Sequence, residues 1–151
     1  MTVEISNKPV FVDANILVYA NLPLSPFQPQ ATEALKKLDE QGVELWVSRQ
    51  ILREYLSAMT RPGTLTGKIP INMLTDDVRY FAIRFRLAED NEFVSTRLLT
   101  LAEQIPMGGK QIHDANIAAT MQAYNVDRLL THNVADFKRF ATFITILPLI
   151  P

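Results

Sequence analysis

The feature that most constrains this chain is Val10-Phe11-Val12-Asp13-Ala14-Asn15. Three apolar, strand-favouring residues run straight into a carboxylate, and a helical pattern over 16–20 follows at once. A short apolar run beside helices reads as a parallel strand buried on both faces. In open α/β sheets ligands bind outside the carboxyl ends of the strands, where the next helix begins. Asp13 is expected at that point. Two readings stand side by side there: a helix N-cap, for which Asp is well suited, or one ligand of a site.

The rest of the chain repeats the alternation. Strands are predicted over 8–12, 44–47, 127–131 and 143–147, with a short one at 85–87. Helices are predicted over 14–21, 30–41, 49–60, 73–86, 92–105 and 110–124, with one helical turn over 136–140. Ser48 is the expected N-cap of the 49–60 helix, and Gly42 ends the 30–41 helix. Residues 1–7 read as a lead-in, and 22–26, 64–72 and 106–109 as loops marked by proline and glycine. Strands alternating with helices imply an α/β fold: a central parallel sheet of four to five strands with helices on both faces. At 151 residues, with no linker or repeat, the chain is expected to form a single domain over 1–151.

There is no cysteine, which excludes disulfides and thiolate metal sites; a metal would be held by oxygen or by His113 and His132. Absent cysteine, and a start without a basic, apolar leader, fit a cytoplasmic protein. No stretch is long and apolar enough to predict a membrane span. A net charge of −1 is not that of a strongly basic nucleic-acid-binding domain, so a polyanion would need a local cationic patch.

The acids carry the chemistry. In the 110–124 helix, Ile117, Ala118 and Met121 lie three, four and seven positions beyond Asp114 and share its face. A carboxylate on that stripe needs compensation by a buried Lys or Arg, or by a metal ion, because a first-turn helix dipole contributes only about 0.3–1 kcal/mol. Glu54 sits at the margin of the apolar face of the 49–60 helix, where a solvated side chain is the ordinary reading. Leu129-Leu130-Thr131-His132-Asn133-Val134-Ala135-Asp136 is again an apolar run meeting polar residues, which on their own read as turn chemistry. Together, Asp13, Glu54, Asp114 and Asn133 or Asp136 fall on one side of one sheet. Converging carboxylates repel and hold protons unless cations intervene. All-oxygen donors favour Mg²⁺ or Mn²⁺, a combination suited to phosphodiester hydrolysis.

Val12-Asp13-Ala14-Asn15-Ile16-Leu17, Glu54 in a helix, His113-Asp114-Ala115-Asn116-Ile117-Ala118-Ala119 and Thr131-His132-Asn133-Val134-Ala135-Asp136-Phe137 together resemble the PIN-domain pattern, in order and over nearly the whole chain. The resemblance is in particular to VapC-type toxin ribonucleases. It implies a Mg²⁺/Mn²⁺-dependent endoribonuclease whose acids map onto Asp13, Glu54 and Asp114. The family's fourth acid often stands two residues after the motif threonine. Here that residue is Asn133, which leaves Asp136 as the remaining acid, catalytic and metal-binding with the other three. Asn15, Thr131 and Asn133 would orient the carboxylates. The family also implies a small antitoxin partner and a homodimer, to whose surface the apolar 80–85 stretch contributes.

Arg49, Arg53 and Lys110 are the basic residues assigned to RNA, with Lys68, Arg61, Lys138 and Arg139 nearby; scattered basic side chains are otherwise ordinary solvated surface. His113 and His132 adjoin the acids and read as hydrogen-bonded structural histidines. An alternative is a PIN-like RNA- or protein-binding module whose metal site is impaired at Asn133. A third reading, a phosphatase with Asp13 as nucleophile, wants a second acid where Asn15 stands.

Overall fold

The computed structural model describes residues 8–62 and 69–151. The lead-in over 1–7, most of the loop over 64–72 and Lys68 lie outside the described residues. Five strands form one parallel sheet: β1 (Val10–Val12), β2 (Leu45–Ser48), β3 (Arg86–Ala88), β4 (Arg128–Thr131) and β5 (Thr145–Pro148), in the order β3-β2-β1-β4-β5. In β1 every residue is buried, although successive side chains point to opposite faces; helices must therefore cover both faces.

The helices are α1 (Ala14–Ala20), α2 (Gln28–Glu40), α3 (Arg49–Thr60), α4 (Ile71–Arg84), α5 (Glu92–Gln104), α6 (Gln111–Ala123) and the single turn α7 (Val134–Phe137), which continues into a 3₁₀ turn over Lys138–Phe140. The α/β class, the parallel sheet and its two helical layers agree with the sequence reading, and the differences lie at element ends. Helix α2 starts at Gln28, two residues early, because Pro29 fits a first turn whose N–H groups have no partner anyway. Helix α4 likewise starts directly after Pro70. Strand β5 starts two residues late, at Thr145, because the chain is still turning at Phe143, whose N–H bonds back to the Phe140 carbonyl. The 80–85 stretch divides: Phe81 is buried, while Ile83 is 86% exposed.

The sheet order positions the site. From β1 the chain steps outward to β2 and β3, then crosses back over β1 to β4 and on to β5. The connections therefore reverse direction between β1 and β4, which opens a crevice at the carboxyl ends of those two strands. Their register pairs Val12 with Leu130, so Asp13 and Thr131 leave the sheet side by side. Local capping directs the helices away from this edge. Asp13 accepts the Ala14 N–H, and Ser48 caps α3 through the Ile51 N–H.

The core is continuous around β1, with Phe11, Ile16, Leu17, Ile51, Tyr55, Ile117, Met121 and Leu129 fully enclosed. Phe11 packs in the central strand, where surrounding helices cannot collapse onto a void. Phe11→Ala is predicted to cost about 3–5 kcal/mol in urea unfolding; a loss under about 1 kcal/mol would contradict its central place.

Candidate metal centre

Asp13 is 5% exposed, and its carboxylate is held from three directions. One oxygen accepts the Ala14 N–H at 2.8 Å. The other accepts the Thr131 hydroxyl at 2.7 Å and the Asn15 amide at 3.1 Å. The Thr131 hydroxyl in turn accepts the Asn133 N–H at 3.0 Å, and the Asn15 side-chain oxygen accepts the His132 N–H at 3.1 Å. The start of α1 is thereby tied to the end of β4 through side chains more than a hundred residues apart. Burial pushes the Asp13 carboxyl above its usual range, these hydrogen bonds pull it down, and the charge of Asp136 pushes it up again. Asp13 is thus both the helix cap and a wall of the crevice.

A cleft runs past it. One lobe, of about 440 Å³, is lined by Asp13, Asn15, Tyr19, Glu54 and Asn133 among others. The adjoining lobe, of about 730 Å³, is lined by Gln50, Arg53, Glu54, Lys110, His113, Asp114 and Asp136. Glu54, Ser57 and Arg61 face both, so the lobes share one wall along α3. Glu54 and Ser57 are three apart on one face of α3, and Arg61 follows directly after its last turn. Glu54, marginal by periodicity alone, is partly buried here because α3 begins at the carboxyl end of β2, beside β1.

The acids feel one another. Burial, then the charges of Asp136, Asp13 and Glu54, raise the Asp114 carboxyl to about 6, against the opposing pull of Arg139. Glu54 is raised chiefly by burial and also by Asp13; the Gln50 hydrogen bond, His113 and Arg53 act the other way. None of the ion pairs among the described residues involves Asp13, Glu54, Asp114 or Asp136. The Lys or Arg partner that would have explained Asp114 structurally is absent among those residues.

The acids suit a hard divalent cation: they offer oxygen donors and several negative charges, and among the described residues no protein cation is paired with them. Among the described residues no three acids or histidines stand close enough to enclose an ion by themselves. An ion such as Mg²⁺ bound there would keep several of its own waters.

The other predicted site residues fall in different places. Arg53 and Lys110 line the acidic lobe, and Arg139 acts electrostatically on Asp114. Arg49 lines neither lobe. Its guanidinium grips both oxygens of Glu89, just beyond β3, at 2.6 and 2.9 Å. His132 packs its ring on Phe27, with centroids 4.5 Å apart, and edge-on to Tyr19. His113 is exposed at the rim of the acidic lobe.

Sequence reasoning passed over Gln50 and gave Asn116 no role. Gln50 is buried; its amide donates to Glu54 Oε2 at 2.9 Å and to the His113 carbonyl at 2.8 Å, and its oxygen accepts the Asn116 amide at 2.8 Å. The available signal was a glutamine one helical turn before Glu54.

Comparison with known proteins bears on this geometry. The family model described as "PIN domain" matches residues 10–142. No curated protein matches the chain in sequence. Among solved structures, VapBC2 of Rickettsia felis bound to a promoter DNA fragment is similar at a TM-score of 0.65 and 19% identity, covering 92% of this chain and 97% of that one. VapBC-1 of nontypeable Haemophilus influenzae is similar at 0.64 and 20% identity, covering 94% and 98%. VapC20 of Mycobacterium tuberculosis, described as a sarcin-ricin loop cleaving toxin, is similar at 0.67 and 9% identity, covering 90% and 96%. At such identities these likenesses show the fold.

Two outcomes follow from the electrostatics. Asp13, Glu54 and Asp114 are all raised, so the folded chain holds protons that the unfolded chain releases. The sign is therefore that stability is fullest below the ordinary carboxylate range and is lost as pH rises through about 6. The melting temperature of metal-free protein should fall between about pH 5 and 7, and Asp114→Asn should flatten that slope; a profile rising with pH in both proteins would contradict the repulsion. Thr131→Val removes a donor from a buried carboxylate and should cost about 1–3 kcal/mol in denaturant unfolding.

Proposed function

This chain belongs to the PIN-domain family, and on that premise we propose that it is a divalent-metal-dependent endoribonuclease of the VapC toxin type. The observation that carries the reading is that Asp13, Glu54, Asp114 and Asp136 line one two-lobed cleft and have no ion-pair partner among the described residues. Asp13, Glu54, Asp114 and Asp136 are the residues that would hold Mg²⁺ or Mn²⁺. When bound, the metal supplies positive charge that relieves their repulsion and favours attack by water on a phosphodiester phosphorus.

The protein's own groups prepare that step. Thr131, Asn15 and the Ala14 N–H fix the Asp13 carboxyl group in place and oppose the upward pull of its burial. Three hydrogen bonds leave that carboxylate about one acceptor position for a cation. Asn133 occupies the place where the family often has its fourth acid; it faces the Asp13 lobe and contributes its backbone N–H to Thr131. Asp136 faces the other lobe, and its charge acts on both Asp13 and Asp114. Asp136 therefore takes the fourth place electrostatically, one helical turn further along the chain.

Arg53, Arg61 and Lys110 line the lobe that holds Glu54, Asp114 and Asp136. They would meet the phosphate backbone of a bound RNA, while the acids oppose any polyanion that arrives without metal. Arg49, engaged with Glu89, is the least available of the basic residues for that task. The toxin reading brings with it a small antitoxin partner, in keeping with the toxin–antitoxin complexes among the similar structures, and it also implies a homodimer. Exposed Tyr80 and Ile83 on α4 are available to such contacts. No helix among the described residues is long and apolar enough to cross a membrane.

A second reading, a PIN-like module that binds RNA or protein without cleaving, is favoured by Asn133 and by the absence, among the described residues, of a closed three-acid cluster. Metal binding separates the two. For the nuclease, calorimetry should show saturable Mn²⁺ binding that Asp13→Asn loses, and Mn²⁺ at a hundred times its Kd should add about 2.7 kcal/mol of stability. Purified protein should cut RNA only with Mg²⁺ or Mn²⁺, and Asp114→Asn should abolish the cut. Equal cleavage by mutant and wild type would sink the proposal, and a flat Mn²⁺ titration would favour the binding module.

A further inference from the structure

We propose that Gln50, braced by Asn116, is a positioning residue that sets the separation of the Glu54 and Asp114 carboxylates and so tunes the cleft's affinity for a divalent cation. The inference rests on the metal-nuclease reading.

Gln50 lies on α3 four residues before Glu54, and its amide crosses to α6. One N–H is given to Glu54 Oε2 and the other to the carbonyl of His113, the residue directly before Asp114. Its oxygen takes the Asn116 amide, two residues beyond Asp114. A single side chain thus grips one acid directly and the turn carrying the other acid from both sides. The amide orientation is determined: reversed, its oxygen would face the Glu54 carboxylate and the His113 carbonyl, both acceptors.

The chemistry shows why such a brace is needed. Glu54 and Asp114 repel each other, and no ion pair among the described residues holds either of them. Left to repulsion, α3 and α6 would hold the two carboxylates at whatever spacing packing allows. A neutral donor engaging Glu54 Oε2 fixes that carboxylate without competing as a cation would, and leaves Oε1 for a metal. Groups that orient metal ligands commonly change affinity by about 10–100-fold when removed.

A purely structural bridge would behave differently, and Tyr55 supplies the comparison. It lies on the same helix, and its hydroxyl donates to Asp77 on α4 at 2.9 Å, outside the cleft lining. The experiment is Mn²⁺ calorimetry on the full chain without RNA, with the metal-free melting temperature recorded for each variant. Gln50→Met keeps the side chain's length and removes all three hydrogen bonds; it should weaken Mn²⁺ binding about ten-fold or more. Tyr55→Phe should lower the melting temperature and leave Mn²⁺ affinity unchanged.

Asn116→Leu, which leaves Gln50 unbraced, should weaken binding several-fold. The double variant should bind no worse than Gln50→Met, since Asn116 acts through Gln50. Wild-type affinity in Gln50→Met overturns the clamp while the metal reading stands; no Mn²⁺ binding by wild type overturns both. If Gln50→Met does not fold, Asn116→Leu decides, and unchanged affinity there overturns the proposal.

Discussion

A carboxylate that leaves the central strand and is bonded by the neighbouring strand's last residue is the contact on which the rest of this molecule depends. Asp13 would be costly to bury alone, by several kcal/mol even after relaxation. The Thr131 hydroxyl, the Asn15 amide and the Ala14 N–H offset that cost. The same bonds fix where α1 starts and where β4 ends. One interaction therefore serves the fold, as cap and strand tie, and the site, as a carboxylate with a fixed direction. The parallel register that pairs Val12 with Leu130 is what makes it possible.

Around that contact the protein accepts electrostatic tension. The charges of Asp13, Glu54 and Asp136 act on Asp114, that of Asp136 acts on Asp13 and that of Asp13 on Glu54. Among the described residues the cations that moderate them act without ion pairs. Arg53, Arg61 and Lys110 line the Asp114 lobe, yet none of them forms an ion pair with these acids among the described residues. The opposition is tolerable because the core around β1 is continuous and the acids sit at its carboxyl edge, where water still reaches three of them. Strain of this kind is expected where a protein trades stability for function.

The cleft also separates its tasks in space. Its Asp13 lobe is bounded by Tyr19, which packs on the Phe27 and His132 rings, whereas its Asp114 lobe carries the basic side chains Arg53 and Lys110. Helix α3 and the Arg61 that follows it contribute the shared wall, with Glu54 and Ser57 on one helical face and the core residues Ile51, Tyr55 and Met59 on another. A helix buried along one stripe can present chemistry along the next, because 3.6 residues per turn leaves both stripes continuous.

The sequence by itself determined the alternation of strands and helices and the placement of acids after strands or in early helical turns. Both follow from local rules: apolar periodicity, caps, and proline and glycine breaks. Asp13 after β1 and Asp114 on an apolar helix stripe were legible for that reason. Element ends shifted by one or two residues, at Pro29 and Phe143 because proline or a turn intervened, and elsewhere, as at β2, β3 and the start of α7, because local pattern does not mark a boundary to the residue. Tertiary structure alone decided that Arg49 is spent on Glu89, that Asp136 presses on Asp13 and Asp114, and that Gln50 spans α3 and α6. These depend on strand order and helix packing, which bring together side chains 40 to 66 residues apart for the Arg49 and Gln50 contacts. No period in the chain encodes such a meeting; it follows from the pairing of β2 with β3, which sets Arg49 beside Glu89, and from the approach of α3 to α6, both properties of the folded chain.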